Sequence, residues 1–400
     1  MAHLFSDLKV LDMATFIAGP GAATILSDFG ADVIKVEIPG AGDPYRHLYR
    51  VSPNPRSSKN YMWQLTNRNK RSITLNLKSP RSKEIIKKLI AWADVMIVNY
   101  PPRVREKLGM TYDVASAINP RLIYADITGF GNKGPDADKP GFDLTAYWAR
   151  SGLMDRTRND DCPPAIPLPG MGDQPTAMTL YASIVTGLYR REKTGEGCHV
   201  STALLAEGTW AAATWIQAAL DGAQMPQHTD RKHPANALMN TYKTADGRWF
   251  LLIAEGEKRW PALMSALNMP AWATDERFCD SAHRSENASA LTALLEATFA
   301  TQPFAYWAEA LDKAWIPYSL IQTIDENAHS PQLVENGFVV PIADGSETPR
   351  YTVDSPVYIE QETKVAPRLA PELGQHTREV LKACGYSDEE IEAMSEEGVI

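Results

Sequence analysis

Asp173 is the residue whose type and setting most invite chemistry. It follows Gly170-Met171-Gly172 and precedes a stretch, 174–192, in which Ala177, Leu180, Tyr181, Ile184, Val185 and Leu188 recur at helical spacing. A carboxylate held beside glycine backbone can attack an acyl carbon, and nearby N–H groups can stabilise the oxyanion that forms. A structural reading stands beside this one. Asp is a favoured helix N-cap, and Pro175 fits the first turn that would follow it. The two readings are compatible, since one side chain can stand at a helix start and still react.

Other groups are weaker candidates. Gly19-Pro20-Gly21 lies between a predicted strand and its helix, where anions bind in open α/β sheets. It lacks the G-x-G-x-x-G spacing and reads as a tight turn. Lys35, Arg46, Lys70, Arg71, Lys78, Arg103, Arg105 and Lys107 recur near predicted strand ends. Some could meet phosphates, although most such side chains are solvated. No G-x-S-x-G, H-E-x-x-H or C-x-x-C occurs, so neither a nucleophile-elbow hydrolase nor a metal site is expected.

The elements that must position Asp173 alternate along the chain. Residues 8–14 read as a strand, 20–29 as a helix and 32–37 as a strand. Residues 72–77, 80–92, 94–100 and 122–127 continue as strand, helix, strand, strand. Such alternation implies a parallel, open α/β sheet. A short helix is predicted over 142–154 and one apolar helix over 203–220. Residues 222–236 read as a loop. A hairpin over 241–254 turns at Asp246-Gly247, helices follow to about 313, and 316–322 is a strand candidate. Two helices, near 376–384 and 387–396, close the chain.

The 400 residues are 44% hydrophobic and 22% charged, with net charge −9. That balance is globular and turns away from general nucleic-acid binding. Four scattered cysteines suit a reducing, cytoplasmic setting. The N-terminal MAHLFSDLKVLDMA lacks signal-peptide character, and no segment has the apolar length of a membrane helix.

Four segments, in order, carry a resemblance: LKVLDMATFIAGPGAATILSDFGADVIKVEIPGAGDPYR (8–46); NRNKRSITLNLKSP (67–80) with ADVMIVNYPPRVREKLGM (93–110); GMGDQPTAMTLYASIVTGLYRREKTGEGCHVSTALL (170–205); and APELGQHTREVL (370–381). Together they resemble the class III CoA-transferase family, which includes formyl-CoA, carnitine and dicarboxylate CoA-transferases and the α-methylacyl-CoA racemases. The resemblance implies an α/β fold with a Rossmann-like large domain and an open, mostly parallel sheet. Residues 1–200 would form that domain, completed by 330–400. A linker helix region would span 201–224, and a smaller inserted α+β domain 225–325. An interlocked homodimer is also implied.

By the same resemblance Asp173 is the covalent nucleophile. Ile17, Ala18, Leu75, Asn76, Leu77, Lys78, Asn99, Tyr100, Lys107, Phe142 and Asp143 fall at coenzyme A-binding positions. A CoA thioester is then a substrate, with no permanently bound cofactor. The partners are an acyl-CoA and a small carboxylic acid; small dicarboxylates, with succinyl-CoA as donor, are common in the family, and Arg46 or Arg231 could hold the second carboxylate. Departures narrow the field. Formyl-CoA transferases have Gln at the position of Ile17, Arg at that of Ile38, and a glycine run where this chain reads RKHPANALMN. Racemases usually carry a proton-transferring His where this chain has Phe142, and a Phe cannot move a proton. CoA transfer is therefore expected, with a racemase or a non-catalytic acyl-CoA-binding protein as rivals.

Overall fold

The computed structural model describes residues 2–346 and 350–400. The chain folds as two units. Met1–Asp155, Ile166–Ala223 and Pro331–Ile400 form the larger; Arg156–Ala165 and Gln224–Ser330 form the smaller.

The larger unit is built on a six-stranded sheet. Its strands are β1 (Lys9–Asp12), β2 (Asp32–Glu37), β3 (Arg71–Thr74), β4 (Val95–Val98), β5 (Ile123–Thr128) and β6 (Cys198–Ala203), in the order β3-β2-β1-β4-β5-β6. Every neighbouring pair is parallel. Parallel pairing requires crossovers. Three of the helices between strands are α1 (Ala18–Asp28), α2 (Ser82–Trp92) and, between β5 and β6, the long α4 (Asp173–Thr194); a shorter α3 (Pro102–Leu108) follows β4.

Both faces of this sheet are buried, which is why β4 reads as the unbroken apolar run Val-Met-Ile-Val. Val95 and Ile97 join Val10 and Val33 in a core with Ala22 and Leu26 of α1 and Leu180 and Ile184 of α4. Met96 and Val98 point the other way, to Leu11, Ile34, Ile85 and Leu89, and to Val380 and Ile391 near the C-terminus. Each fully buried Leu or Ile contributes about 1.5–3 kcal/mol relative to exposure. α1 and α4 approach closely: a Cβ on Gly21 would stand 3.0 Å from that of Ala177.

Three boundaries differ from the sequence expectation. The strand predicted over 72–77 ends at Thr74, because the Asn76 N–H leaves the sheet and bonds the Val399 carbonyl at 2.7 Å. The helix predicted over 142–154 is a π-helical segment, Asp143–Ala149. The single helix over 203–220 is two, α5 (Leu204–Ala211) and α6 (Ala213–Leu220), broken at Ala212 with φ −92° and ψ 10°.

In the smaller unit, β7 (Met239–Lys243), β8 (Trp249–Ile253) and β9 (Tyr318–Leu320) form an antiparallel sheet in that order. The Asp246-Gly247 turn joins the first two, with Gly247 at φ +81°. Tyr242, Phe250, Trp260, Leu263 and Phe299 are core residues of this unit. An antiparallel pair of strands, β10 (Val339–Ile342) and β11 (Arg350–Val353), belongs to the larger unit. No helix among the described residues is long and apolar enough to cross a membrane.

Candidate active site

A cavity of about 560 Å³ opens in the larger unit, lined by residues 15–18, Tyr45, Leu48, Asn99, residues 127–129 and 141–145, Pro169, Gly170, Asp173 and Leu204. Residues 15–18 follow β1, Asn99 follows β4, and 127–129 end β5. The strand order reverses between β1 and β4, and the crevice outside the carboxyl ends of strands at such a point is where open α/β sheets bind ligands.

Asp173 is the first residue of α4. Gly172 occupies the N-cap position, and no side-chain cap bond forms there. The expected capping role is corrected: the carboxyl faces the cavity instead. It is pushed up to about 7, first by burial and then by the negative charge of Asp143. The positive end of α4 opposes this, but a helix terminus is worth only about 0.3–1 kcal/mol, under one pH unit. Desolvation wins.

Asp143 is buried at the start of the π-helical segment, a rare backbone form that recurs at functional sites. Its carboxylate accepts the Gly170 N–H at 2.6 Å and the Gly172 N–H at 3.0 Å. Burial raises its pKa, and these two bonds partly offset the rise. Asp143 thus fixes the turn that delivers Asp173. Two of the glycine N–H groups expected to serve an oxyanion are already occupied. Gly172 has no room for a side chain: a Cβ would meet the Tyr147 ring at 2.3 Å and Asp143 Oδ1 at 2.4 Å.

The β1–α1 loop forms the opposite wall. Phe16 has φ +65°, an uncommon conformation for a bulky side chain and a mark of local strain. Two neighbours hold it there. Asn99 clamps Thr15, accepting its N–H at 3.0 Å and donating to its carbonyl at 2.8 Å; Asp43 accepts the Phe16 N–H at 3.2 Å. The Phe16 ring meets Phe142 edge-on, centroids 5.4 Å apart. α1 begins at Ala18 with no side-chain cap, so its first N–H groups have no intrahelical partner.

Behind this loop lies a buried charge cluster. Lys70 Nζ contacts Asp12 at 2.9 Å and donates to the Pro20 and Thr66 carbonyls, each at 2.8 Å. Lys35 Nζ lies 3.0 Å from Asp43 and 3.9 Å from Asp12, and also donates to the Ala14 carbonyl. Burial pulls Lys35 down, but Asp12, Asp43 and Glu37 more than offset it. Burial pushes Lys70 down to about 8 against the pull of Asp12. These lysines, read from sequence as possible phosphate contacts, are structural. Arg105 is likewise engaged with Asp126 at 3.2 Å.

Arg46, expected to hold a substrate carboxylate, is engaged within the fold. Its guanidinium makes a bidentate pair with Glu37, at 2.7 and 2.8 Å, and stacks 3.7 Å over the Trp63 ring. It does not line the cavity. Arg231, in the smaller unit, pairs with Glu296 at 2.5 Å.

Of the expected residues, Ile17, Ala18, Asn99, Phe142, Asp143 and Asp173 converge on the cavity; Leu75, Asn76, Leu77, Lys78, Tyr100 and Lys107 do not line it. Leu75 is buried, while Lys78 and Lys107 are exposed. Sequence reasoning missed Phe16, Tyr45, Leu48 and Leu204. Tyr45 is buried, and its phenol is held protonated by burial and then by Asp173, Tyr61 and Asp43. Among the described residues one cluster of metal-ligating types, exposed Cys279, Asp280 and His283, stands in the smaller unit, where Asp280 already caps the helix Ser281–Glu286.

Comparison with known proteins identifies the family. Residues 5–377 match the model of CoA-transferase family III. The chain is 32% identical over 399 residues to (R)-2-hydroxy-4-methylpentanoate CoA-transferase of Clostridioides difficile, covering 99% of each. It is 33% identical to succinyl-CoA:glutarate CoA-transferase of Mus musculus, covering 98% of this chain and 89% of that one. The crystal structure of a CAIB/BAIF family protein from Brucella suis superposes with TM-score 0.84 at 29% identity, covering 96% of this chain and all of that one. The chain belongs to CoA-transferase family III, and it is a CoA-transferase.

Proposed function

We propose that the protein moves CoA from an acyl-CoA to a carboxylic acid through covalent intermediates on Asp173. An Asp173 oxygen attacks the thioester carbonyl, the C–S bond breaks, and CoA thiolate leaves an acyl–aspartyl anhydride. The thiolate then attacks the Asp173 carbonyl and expels the donor acid as a carboxylate, giving an enzyme–CoA thioester. The acceptor carboxylate attacks that thioester, and the returning thiolate takes the new acyl group and frees Asp173. The observation that carries this reading is Asp173 itself: a carboxyl held near 7 in a mostly apolar cavity. A poorly solvated carboxylate is a stronger nucleophile, and exclusion of water protects the anhydride.

Oxyanion stabilisation is assigned to the uncapped start of α1 at Ile17 and Ala18 and to the Tyr45 phenol, since Asp143 occupies Gly170 and Gly172. CoA is proposed to lie along the carboxyl edge of the sheet. Residues 17–18, 75–78, 99–100 and 107 follow β1, β3 and β4 in turn. Strands sit about 4.8 Å apart, so 75–78 lie roughly 10 Å from 17–18 along that edge. Exposed Lys78 and Lys107 suit the phosphates.

Two relatives act on acids as different as 2-hydroxy-4-methylpentanoate and glutarate, which supports the transfer more than any one substrate. Succinyl-CoA remains a donor to assay. An interlocked homodimer fits the apolar side chains left exposed on α4, α5 and α6: Tyr189 at 64%, Trp210 at 77% and Leu220 at 76%. Four unpaired thiols suit a cytoplasmic location.

A carboxyl titrating near 7 would also suit a racemase, but Phe142 carries no proton and Asp143 is tied to backbone. The test is exchange of an isotope-labelled acid into its own CoA thioester. The wild type should catalyse it and Asp173→Asn should not. Near-normal exchange by Asp173→Asn, or solvent deuterium at the acyl α-carbon without exchange, would sink the proposal.

A further inference from the structure

We infer that Asp43 is the positioning residue of the oxyanion site: one of its carboxylate oxygens joins the two segments that carry the donors. The inference rests on the CoA-transfer reading, which assigns those donors, and names the residue that aims them.

The donors come from separate places. Ile17 and Ala18 begin α1, and Tyr45 follows β2. Asp43 Oδ1 accepts the Phe16 N–H at 3.2 Å and the Tyr45 N–H at 2.9 Å. A single oxygen therefore holds the backbone just ahead of Ile17 and at Tyr45. The other oxygen lies 3.0 Å from Lys35 Nζ, and the Asp43 N–H donates to Glu37 Oε2 at 3.0 Å. Lys35 and Glu37 belong to β2, so the carboxylate is referenced to the sheet. Lys35 also donates to the Ala14 carbonyl. Asp43 and Lys35 are 2% and 0% exposed within this one chain, so the arrangement is complete without a second copy.

The turn at Phe16 needs such a hold. At φ +65° a bulky residue persists only while its surroundings over-determine it. Asn99 fixes Thr15, one residue earlier; the direction of the N–H groups that follow is left to Asp43. A buried ion pair is a poor source of stability, because apolar side chains of similar size would serve as well. What they would not supply is an acceptor for two backbone N–H groups. A displacement of about 1 Å costs about a hundredfold in rate, and loss of one oxyanion donor costs about a hundredfold to a thousandfold.

The test compares two pairs of substitutions that both remove the charges. K35M/D43N keeps an oxygen for the Phe16 and Tyr45 N–H groups; K35M/D43L removes it at similar side-chain size. In exchange of a labelled acid into its own CoA thioester, kcat should be about fiftyfold or more higher for K35M/D43N than for K35M/D43L. KM should agree within about threefold, since the donors act in the transition state. Tyr45→Phe should cost about tenfold or more when added to K35M/D43N, and much less when added to K35M/D43L, where the phenol is already misaimed. A merely structural role would lower the melting temperature of K35M/D43L without that coupling. Hydrogen–deuterium exchange over residues 14–18 needs no turnover and should be faster in K35M/D43L than in K35M/D43N. Asp43→Glu, which keeps the charge facing Lys35 but moves the carboxylate by one methylene, should lower kcat by about tenfold or more and replaces K35M/D43L should that variant not fold. Equal kcat in the two pairs, or an equal cost of Tyr45→Phe in both, overturns the inference while wild-type exchange upholds the transfer. A wild type that exchanges no acid, with the deuterium difference still present, defeats the transfer reading and leaves the hold of Asp43 on the turn standing.

Discussion

Two sets of carboxylates lie at the same edge of the same sheet and are treated in opposite ways. Asp12, Asp43 and Glu37 are buried, and Lys70, Lys35 and Arg46 respectively answer them. Asp143 and Asp173 share one cavity, and no cation is among the described residues of this chain that line it. The first set holds the β1–α1 loop in place, because Asp43 also accepts the Phe16 N–H. The second is left electrostatically uncomfortable. Neutralised acids build the wall; of the two without a cation, Asp143 is tied to the Gly170 and Gly172 N–H groups and Asp173 is free to react.

The comparison breaks most sharply on substitution of the reactive acid. Asp173→Asn should lower turnover by about a thousandfold or more with the circular dichroism spectrum unchanged. A smaller loss would place Asp173 outside the chemistry. In the paired set, Asp12→Ala should do the reverse and act on stability. It strands a buried lysine, which costs about 3–5 kcal/mol, read as a lowered denaturation midpoint.

The same contrast fixes the sign of two pH effects. Asp173 sits near 7 in the folded chain against an ordinary value of 3.8, so the unfolded chain releases that proton first. The carboxyl therefore costs stability progressively as pH rises from about 4 to about 7. Asp173→Asn should raise the melting temperature at pH 8, by less at pH 5, and not at all below pH 4. For activity, kcat/KM should climb with pH through an apparent value near 7 as the nucleophile ionises. A profile flat from pH 5 to 8 would contradict the burial argument.

The smallest expected effect concerns Asp143, a positioning residue. Asp143→Asn removes the charge that helps raise Asp173 and weakens the hold on the 170–172 turn. Turnover should fall by about tenfold, and the acid limb of the pH profile should move to lower pH. A structural role alone would lower activity without moving the limb.

What the sequence reveals follows the same division. β4 is legible because a strand buried on both faces must be apolar throughout. Asp173 is legible because a Gly-Asp pair before a long apolar helix is a local pattern. The grip of Asp143 on Gly170 spans 27 residues, and that of Lys70 on Asp12 spans 58; neither leaves a local trace. Lys35 and Lys70 look like surface lysines until the fold encloses them. Arg46 looks available until Glu37 and Trp63 surround it. Nothing in the stretch from Asp143 to Ala149 signals a π-helical backbone, and nothing near Phe16 signals a positive φ. Tyr45 and Leu48 reach the cavity only because the chain after β2 folds back over it.

The most direct test of the covalent role of Asp173 is mass spectrometry of the enzyme after incubation with an acyl-CoA and no acceptor acid. The peptide containing Asp173 should gain the mass of CoA, less water, and hydroxylamine should convert that adduct to the aspartyl hydroxamate. Turnover with no adduct at Asp173, or an adduct on another residue, would contradict the account.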